Sequence, residues 1–262
     1  MVNTTATTSS TSGALVYAIG DIHGCYDLMK ALLAQIAADY AAFARGRRPI
    51  LIFCGDYVDR GPHSAKVLEA LVWLYRRGDV ELHLLMGNHE EALLAFLEAP
   101  QDAAPWLSFG GAETLTSYGV IPPSSEEGEE GLSRARDELL ERMPAAHLRL
   151  LQNLELMVQV GDYAFVHAGI RPGAPLSAQT QRDLLWIRRG FVDQPGPFEK
   201  VIVHGHVWIS DQPQITEHRI GLDSGAYTTG ALTAVRLQDN ELAVLQARAA
   251  PSAAPASTAL PA

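Results

Sequence analysis

Cysteine is scarce in this 262-residue chain, which contains only Cys25 and Cys54. Two cysteines without a CxxC spacing exclude a disulfide framework and disfavour a structural zinc knuckle. No apolar run approaches the roughly 20 residues that a membrane-spanning helix needs. The first 13 residues have neither the basic start nor the apolar stretch of a secretory signal. Cys25 and Cys54 are therefore interpreted as free thiols in a reducing compartment, and we expect a cytoplasmic protein.

Basic residues are also in short supply, with 20 Lys and Arg against 30 Asp and Glu and a formal net charge of -10. Nucleic acids and anionic membranes attract clustered positive charge, so the composition argues against both as partners. A nuclease is disfavoured for the same reason. The 47% of apolar residues is ample for a core, although length alone allows one large domain or two small ones and leaves the oligomeric state open.

The two ends of the chain have biased compositions. Residues 1–13 are rich in Thr and Ser, and residues 248–262 are rich in Ala, Pro and Ser. Such segments cannot bury enough apolar surface to fold, so both are predicted to be disordered tails. Residues 14–247 are predicted to form one domain. Within it, residues from about 91 to 151 are interpreted as a mostly helical insert beside the site.

The stretch from Pro49 to Gly61 is the most informative in the sequence. Its apolar run Ile50–Phe53 predicts a strand buried on both faces. The strand is followed directly by Gly55-Asp56, and then by Asp59 and Arg60. Charges at the mouth of a buried strand indicate a functional site. The alternative is a solvated turn with a local pair between Asp59 and Arg60.

A strand followed by a polar loop recurs along the chain. The predicted strands Ala14–Ile19 and Val80–Met86 flank the central strand, and helical patterns separate the three. This βαβ order predicts parallel pairing, with the polar loops gathered at the carboxyl ends of the strands. The later part reads as a hairpin and further strands from Leu154 onwards. The sequence therefore predicts an α/β chain of two packed sheets with helices outside.

The polar residues at these strand ends form a candidate metal set. Carboxylate, imidazole and amide ligands suit Mn²⁺, Fe, Zn²⁺ or Co²⁺ better than Ca²⁺, which prefers oxygen alone. The set exceeds what one tetrahedral ion needs, and two ions sharing a carboxylate can polarise a phosphoryl group and activate water. The candidate residues are Asp21, His23, Asp56, Asp59, Arg60, Asn88, His89, His167, and either His204 or His206.

Five motifs in sequence order resemble those of the calcineurin-like metallophosphoesterases, and within them the phosphoprotein phosphatase branch in its compact bacterial and phage form. The resemblance implies a four-layer α/β/β/α sandwich of two mixed sheets. It also implies a dinuclear centre of two divalent metal ions, Mn²⁺ foremost, with Fe, Zn²⁺, Co²⁺ or Ni²⁺ as alternatives. The motifs are Gly20-Asp21-Ile22-His23-Gly24, Gly55-Asp56-Tyr57-Val58-Asp59-Arg60-Gly61, Gly87-Asn88-His89-Glu90, His167-Ala168-Gly169 and Gly205-His206.

The resemblance also implies a role for each matching residue. His89 would be the general acid for the leaving oxygen, and Asp59 would orient it and keep it protonated. Arg60 and Arg188 would bind the phosphoryl oxygens. The metal ligands would be Asp21 and His23 for the first ion, Asp56 for both, and Asn88, His167 and His206 for the second.

The activity implied is that of a metal-dependent phosphoric monoester hydrolase, a serine/threonine protein phosphatase that attacks its substrate with a dimetal-bound hydroxide. Its partner would be a phosphorylated protein or peptide carrying phosphoserine or phosphothreonine, with phosphotyrosine as a further substrate. The alternative is a symmetrical dinucleoside tetraphosphate hydrolase. Met86 keeps this alternative open, because eukaryotic-type phosphatases have arginine before Gly-Asn-His.

Two further details of the sequence bear on the function. Trp208 occupies a position where related metallophosphoesterases carry a second histidine, which favours the phosphatase branch. A non-catalytic metal-binding scaffold is a remote third hypothesis, because a degenerate protein should have lost a ligand or His89, and none is missing. His204 has no motif-based role and is expected to support the site rather than to bind metal.

Overall fold

The computed structural model describes residues 4–44 and 46–249 of the chain. These residues form two β-sheets with helices outside them. The first sheet has the strand order β1 (Thr4–Ala6), β11 (Glu241–Arg248), β10 (Ala231–Gln238), β2 (Leu15–Ile19), β3 (Pro49–Phe53) and β4 (Glu81–Leu84). The second has the order β5 (Met157–Val160), β6 (Tyr163–Val166), β7 (Val201–His204), β9 (Arg219–Gly221) and β8 (Gln214–Ile215).

The helices connect the parallel strands and fill the long insertion. Two 3₁₀-helical turns lie among them, at Ala104–Phe109 and Leu176–Ala178. The α-helices are α1 (Tyr26–Phe43), α2 (Ser64–Arg77), α3 (Asn88–Glu98), α4 (Gly111–Ser117), α5 (Gly128–Arg142), α6 (Ala145–Gln152), α7 (Gln181–Trp186), α8 (Arg189–Val192) and α9 (Ala226–Thr229).

Both sheets are mixed. Strands β2, β3 and β4 pair in parallel, as the βαβ pattern predicts, while β10 joins β2 antiparallel. In the second sheet β6, β7 and β9 are parallel, and β5 and β8 run antiparallel at the edges. Strand β4 ends earlier than predicted, because Met86 leaves the first sheet and donates its N–H to Glu155 O at 2.8 Å.

The layers follow from the alternation of side chains along the strands. In β2, Tyr17 packs against the helices of the first sheet, whereas Val16 lies in the core between the sheets. In β6, Phe165 faces that same central core, whereas Val166 packs against Leu184 and Phe191 of the outer helices. Three apolar cores between four layers confirm the predicted α/β/β/α sandwich.

The N-terminal segment differs from the predicted disordered tail. Thr4–Ala6 pair antiparallel with β11, and Thr7 N–H donates to Asn240 O at 2.7 Å. The reason is that β11 would otherwise be an edge strand with unpaired backbone groups, and a threonine-rich segment readily adopts the strand conformation. At the other end, β11 extends to Arg248, and residues 250–262 of the predicted C-terminal tail lie outside the described residues.

The predicted helical insert belongs to the outer helical layer of the first sheet. Phe96, Leu115 and Leu139 from its helices pack in the same core as Tyr17 and α1. Its helices therefore share a core with the sheet that carries the polar loops. Within the described part of the chain, no helix is long and apolar enough to cross a membrane.

Candidate active site

Asp56 lies at the centre of the predicted site. Its Oδ2 is 3.4 Å from His23 Nε2 and 3.9 Å from His89 Nε2, and its Oδ1 is 3.4 Å from His167 Nε2. The loops after β2, β3 and β4 bring the first three of these residues together, and the loop after β6 brings His167 from the second sheet. The residues predicted from separate motifs therefore converge across both sheets.

The donor atoms form two groups that share Asp56. One group contains His23, Asp56 and His89, and the other contains Asp56, His167 and His206, with ligand atoms within 4.8 Å of one another in each group. Asp21 adjoins this set, because its Oδ2 accepts the His206 N–H at 2.9 Å. A shared carboxylate between two sets of donors is the arrangement that two neighbouring ions require.

The hydrogen bonds of two histidines suit metal binding. His23 Nδ1 donates to Val58 O at 2.9 Å, and His167 Nδ1 donates to Cys54 O at 2.7 Å. Burial lowers the pKa of both rings, that of His23 to about 3, so each Nε2 is an unprotonated acceptor. Yet His167 Nε2 lies 2.9 Å from Asn88 Oδ1. An imidazole nitrogen and an amide oxygen are both ligand atoms for a divalent ion, so these residues fit a metal.

Buried negative charge supports the same fit. Asp21 and Asp56 are only 1% and 2% exposed. Burial and the neighbouring Asp223 and Asp56 carboxylates raise the pKa of Asp21 well above its ordinary value. His206 Nε2 is buried without a hydrogen-bond partner among the described residues. A dication would offset the negative charge of the buried carboxylates. It would also give His206 Nε2 a partner as a metal ligand.

Glu90, a residue whose role the sequence analysis missed, holds the loop that contains Asp56, one of the site residues with left-handed backbone. Its buried carboxylate accepts the N–H groups of Asp56, Tyr57 and Val58 at 2.7–3.1 Å and that of Gly87 at 3.0 Å. Positive φ costs a non-glycine residue about 1–2 kcal/mol, so such a conformation needs fixed partners. The site residues with positive φ are His23, Asp56, Asp59, Arg60 and His206.

Glycines allow the loops to approach one another. A Cβ on Gly87 would lie 2.1 Å from Asp56 Oδ1, and one on Gly205 would lie 1.9 Å from Asp21 Oδ1. Any side chain at either position would displace a carboxylate that we group with the metal ligands. The glycines of these motifs are therefore needed for the close packing of the loops.

His89 and Asp59 form a buried hydrogen-bonded pair. His89 Nδ1 donates to Asp59 Oδ2 at 2.7 Å. The insert completes the environment of this carboxylate, because Trp106 Nε1 donates to Oδ2 at 2.8 Å and Thr114 Oγ1 donates to Oδ1 at 2.6 Å. Burial alone would lower the pKa of His89, but Asp56 and Asp59 outweigh it and raise the pKa. The pair is thus arranged to keep a proton on His89.

Arg60 lies beside this pair. Its Nη2 is 3.2 Å from His89 Nε2, and its Nη1 donates to Tyr227 Oη at 2.6 Å. The guanidinium also lies over the Tyr227 ring, 4.8 Å from the centroid, and Gly110 O accepts the Arg60 N–H at 3.2 Å. A cation fixed in this way next to the metal donors can bind phosphoryl oxygens. Tyr227 was not among the residues predicted from the sequence.

Arg188 follows α7 and is exposed. Burial and the neighbouring His167 lower the pKa of His206 most, and the charge of Arg188 lowers it further. Arg188 thus acts on the His206 ring through its charge, without a direct bond to it. The preceding Trp186 donates its Nε1–H to Glu91 Oε2 at 2.6 Å. This bond ties the turn that carries Arg188 to α3, immediately after His89 and Glu90.

Two further residues refine the predicted site. His204 lies apart from both donor groups, packs against Phe191 with ring centroids 5.2 Å apart, and is 1% exposed. Asp223, which the sequence analysis missed, is buried beside Asp21, and burial raises its pKa to about 6. Its Oδ1 accepts the Gly225 N–H at 2.9 Å. The sequence signal for Asp223 was only its place in the loop that follows a short strand.

Comparison with known proteins gives relatives of two kinds. The asymmetrical bis(5′-nucleosyl)-tetraphosphatase PrpE of Bacillus subtilis is 28% identical over 242 residues, which cover 85% of this chain and 91% of that protein. The symmetrical bis(5′-nucleosyl)-tetraphosphatase of Vibrio cholerae is 28% identical, and the match covers 85% of this chain and 95% of that protein.

Solved structures share the fold. A crystal structure provisionally described as a diadenosine tetraphosphatase has a TM-score of 0.59 and 19% identity. The match covers 95% of this chain and 100% of that chain. At this identity the likeness concerns the fold alone.

The relatives overturn two of the expectations stated above. The serine/threonine protein phosphatase activity and the phosphorylated protein or peptide partner were both wrong, because the curated relatives act on dinucleoside tetraphosphates. The prediction rested on motifs that indicate a phosphoesterase site and do not by themselves specify the substrate. Met86, in place of an arginine that clamps phosphoprotein substrates, was the more informative residue.

The calcineurin-like phosphoesterase family model matches residues 14–245, which is nearly all of the described chain. The match spans both sheets and every loop that contributes a donor to the two groups around Asp56. The chain therefore belongs to the calcineurin-like phosphoesterase family.

Proposed function

We propose that this chain hydrolyses dinucleoside tetraphosphates at the site centred on Asp56. The observation that carries the chemistry is the pair of donor groups that share Asp56 next to the His89–Asp59 pair. The substrate class rests on the relatives, which match along 83–88% of the chain and are bis(5′-nucleosyl)-tetraphosphatases. Arg60 and Arg188 are the cations that the site offers to the phosphates of such a substrate.

The family implies a dinuclear divalent metal centre, and the donor set fits one. Asp21 and His23 would hold one ion, and Asp56 would lie between the two. When bound, the ions supply Lewis acidity and activate water at neutral pH, and Mn²⁺ is the ion that we propose. The ligands of the second ion would be Asn88, His167 and His206.

The remaining steps are performed by side chains of the chain itself. Arg60 binds oxygens of the phosphate that is attacked, and the exposed Arg188 binds those of the same or a neighbouring phosphate. His89 Nε2 donates a proton to the phosphate oxygen that leaves, while Asp59 holds Nδ1 and orients the ring. Asp59 can serve this purpose because Trp106 and Thr114 fix its two oxygens.

The test is the identity of the products. Purified protein with Mn²⁺ is incubated with diadenosine tetraphosphate, and the nucleotides are separated by ion-exchange chromatography. We expect rapid loss of the dinucleotide, with two ADP from symmetrical cleavage or ATP and AMP from asymmetrical cleavage. The His89→Asn protein serves as the control for contaminating activity. An intact dinucleotide, under conditions in which a phosphothreonine peptide releases phosphate, would contradict the proposal.

A further inference from the structure

Two exposed aromatic side chains lie next to each other at the rim of the site. Trp208 is 40% exposed and Tyr227 is 38% exposed, with ring centroids 6.2 Å apart and planes inclined by 68°. We call Trp208 and Tyr227 the aromatic pair. Single exposed aromatics need no explanation, but two adjacent ones beside polar catalytic groups point to a ligand.

The aromatic pair is joined to the phosphate-binding residues. Tyr227 Oη accepts a hydrogen bond from Arg60 Nη1 at 2.6 Å, and its ring centroid is 5.3 Å from that of His23. Trp208 follows His206 by two residues, so the two Cα atoms are at most about 7 Å apart. The aromatic surface therefore begins next to the guanidinium of Arg60, the proposed phosphate-binding group.

The indole of Trp208 is held in place rather than mobile on the surface. It packs on Gly225, where a Cβ would lie 2.4 Å from Trp208 Cε2. Gly225 has a φ of 66°, in the left-handed region that favours glycine. Because position 225 has no side chain, the indole can pack directly on the backbone there. Part of the ring stays accessible to solvent.

We propose that Trp208, with Tyr227 beside it, is the platform on which one nucleobase of the substrate stacks while Arg60 binds the adjoining phosphates. This inference rests on the proposed function and names the residues that select a nucleotide over other phosphoesters. A nucleobase presents a planar π-face at the end of a phosphate chain, which matches an arginine followed by an aromatic surface.

The experiment compares two ligands that differ only by the nucleobase. Adenosine 5′-(α,β-methylene)diphosphate and ribose 5′-(α,β-methylene)diphosphate are each titrated into Mn²⁺-loaded protein by isothermal calorimetry. Stacking of one base on an aromatic side chain corresponds to about tenfold in affinity. We therefore expect the nucleotide to bind about tenfold more tightly than the base-free ligand. Trp208→Ala should bring the ratio of the two affinities close to one and leave the affinity for the base-free ribose ligand unchanged, whereas Trp208→Phe should retain much of the ratio.

Two further variants separate stacking from other effects. Trp73→Ala removes a tryptophan of α2 that is 54% exposed, and it should leave the ratio unchanged. Tyr227→Phe removes the hydroxyl that bonds Arg60, so it should weaken both ligands together. Equal loss of both ligands in Trp208→Ala, or a wild-type ratio near one, would overturn the inference.

The same titrations distinguish this inference from the proposed function. If diadenosine tetraphosphate is not cleaved but Trp208→Ala still lowers the ratio, the platform stands and the substrate proposal fails. If the dinucleotide is cleaved and the ratio does not depend on Trp208, the enzyme activity stands and the platform is refuted.

Discussion

At the scale of single residues, His89 has two candidate roles that experiment can separate. It bonds Asp59 as an acid would, but its Nε2 also lies among the donors around Asp56. We assign it the acid role, because Asp56 and Asp59 raise its pKa. His89→Asn should then lower kcat by about 10²–10⁴-fold, with the metal content unchanged. Elemental analysis of the variant checks this, and a lost ion would make His89 a ligand instead.

Arg188 offers a second test at this scale. Its side chain is exposed and acts on His206 and His167 only through its charge, so its removal should not disturb the fold. Arg188→Ala should weaken substrate and inorganic phosphate binding by about tenfold, as expected for one lost hydrogen bond to a charged group. Phosphate inhibition constants measure the effect, with the exposed and neighbouring Arg189→Ala as the matched control. Equal inhibition of wild type and Arg188→Ala would remove Arg188 from the site.

The functional residues that could be predicted stand in local sequence motifs, whereas those that were missed act through contacts between distant parts of the chain. Asp56 and His89 could be predicted because each stands in a glycine-flanked motif shortly after a predicted strand. Glu90 and Tyr227 were missed as functional residues because their roles lie in contacts with residues far away in sequence, such as Glu90 with Asp56 N–H and Tyr227 with Arg60. Such contacts depend on how the loops pack, which no local pattern encodes.

At the scale of elements, the same distinction applies to the insert. Its helical nature could be predicted from the pattern of residues 91–151, and the structure places α3 to α6 there. The sequence did not indicate that the insert supports the acid. That role depends on Trp106 and Thr114, which reach Asp59 across 47 and 55 residues. The insert thus supplies two hydrogen-bond donors to Asp59 as well as part of the helical layer.

The bond from Trp106 makes this coupling testable. Trp106→Phe removes the indole N–H from Asp59 but keeps an aromatic ring against Phe96, whose centroid is 4.7 Å away. Loss of a hydrogen bond to a charged group should lower the free energy of unfolding by about 1.5–3 kcal/mol. With one donor fewer, Asp59 becomes more basic and holds the His89 proton more strongly. The alkaline limb of the pH dependence of kcat should therefore move to higher pH.

Urea unfolding and pH profiles measure the two effects of Trp106→Phe separately. Trp73→Phe provides the matched control, because Trp73 lies on the exposed side of α2 and should change neither quantity. A destabilised Trp106→Phe protein with an unshifted alkaline limb would mean that the insert supports only the fold.

At the scale of the whole molecule, the candidate site joins the two sheets. Asp21, His23 and Asp56 follow strands of the first sheet, and His167 and His206 follow strands of the second. The packed core between the sheets could be predicted from the apolar strands. The pairing of β1 with β11 could not, because a Thr/Ser-rich segment has no apolar pattern and gains its order only from the edge that it covers.

A site that joins two sheets and buries several carboxylates should make stability depend on metal. A ligand that binds only the folded chain at 100 times its Kd adds about 2.7 kcal/mol to the free energy of unfolding. We expect chelator-treated protein to melt at a lower temperature, with a Tm that rises as Mn²⁺ is added back. Asp56→Asn is the informative control, since it removes one buried charge and the shared ligand together. Its Tm should respond little to Mn²⁺, because the ligand shared by the two donor groups is gone. Equal responses of the two proteins to Mn²⁺ would show that the stabilising ions bind somewhere other than at Asp56.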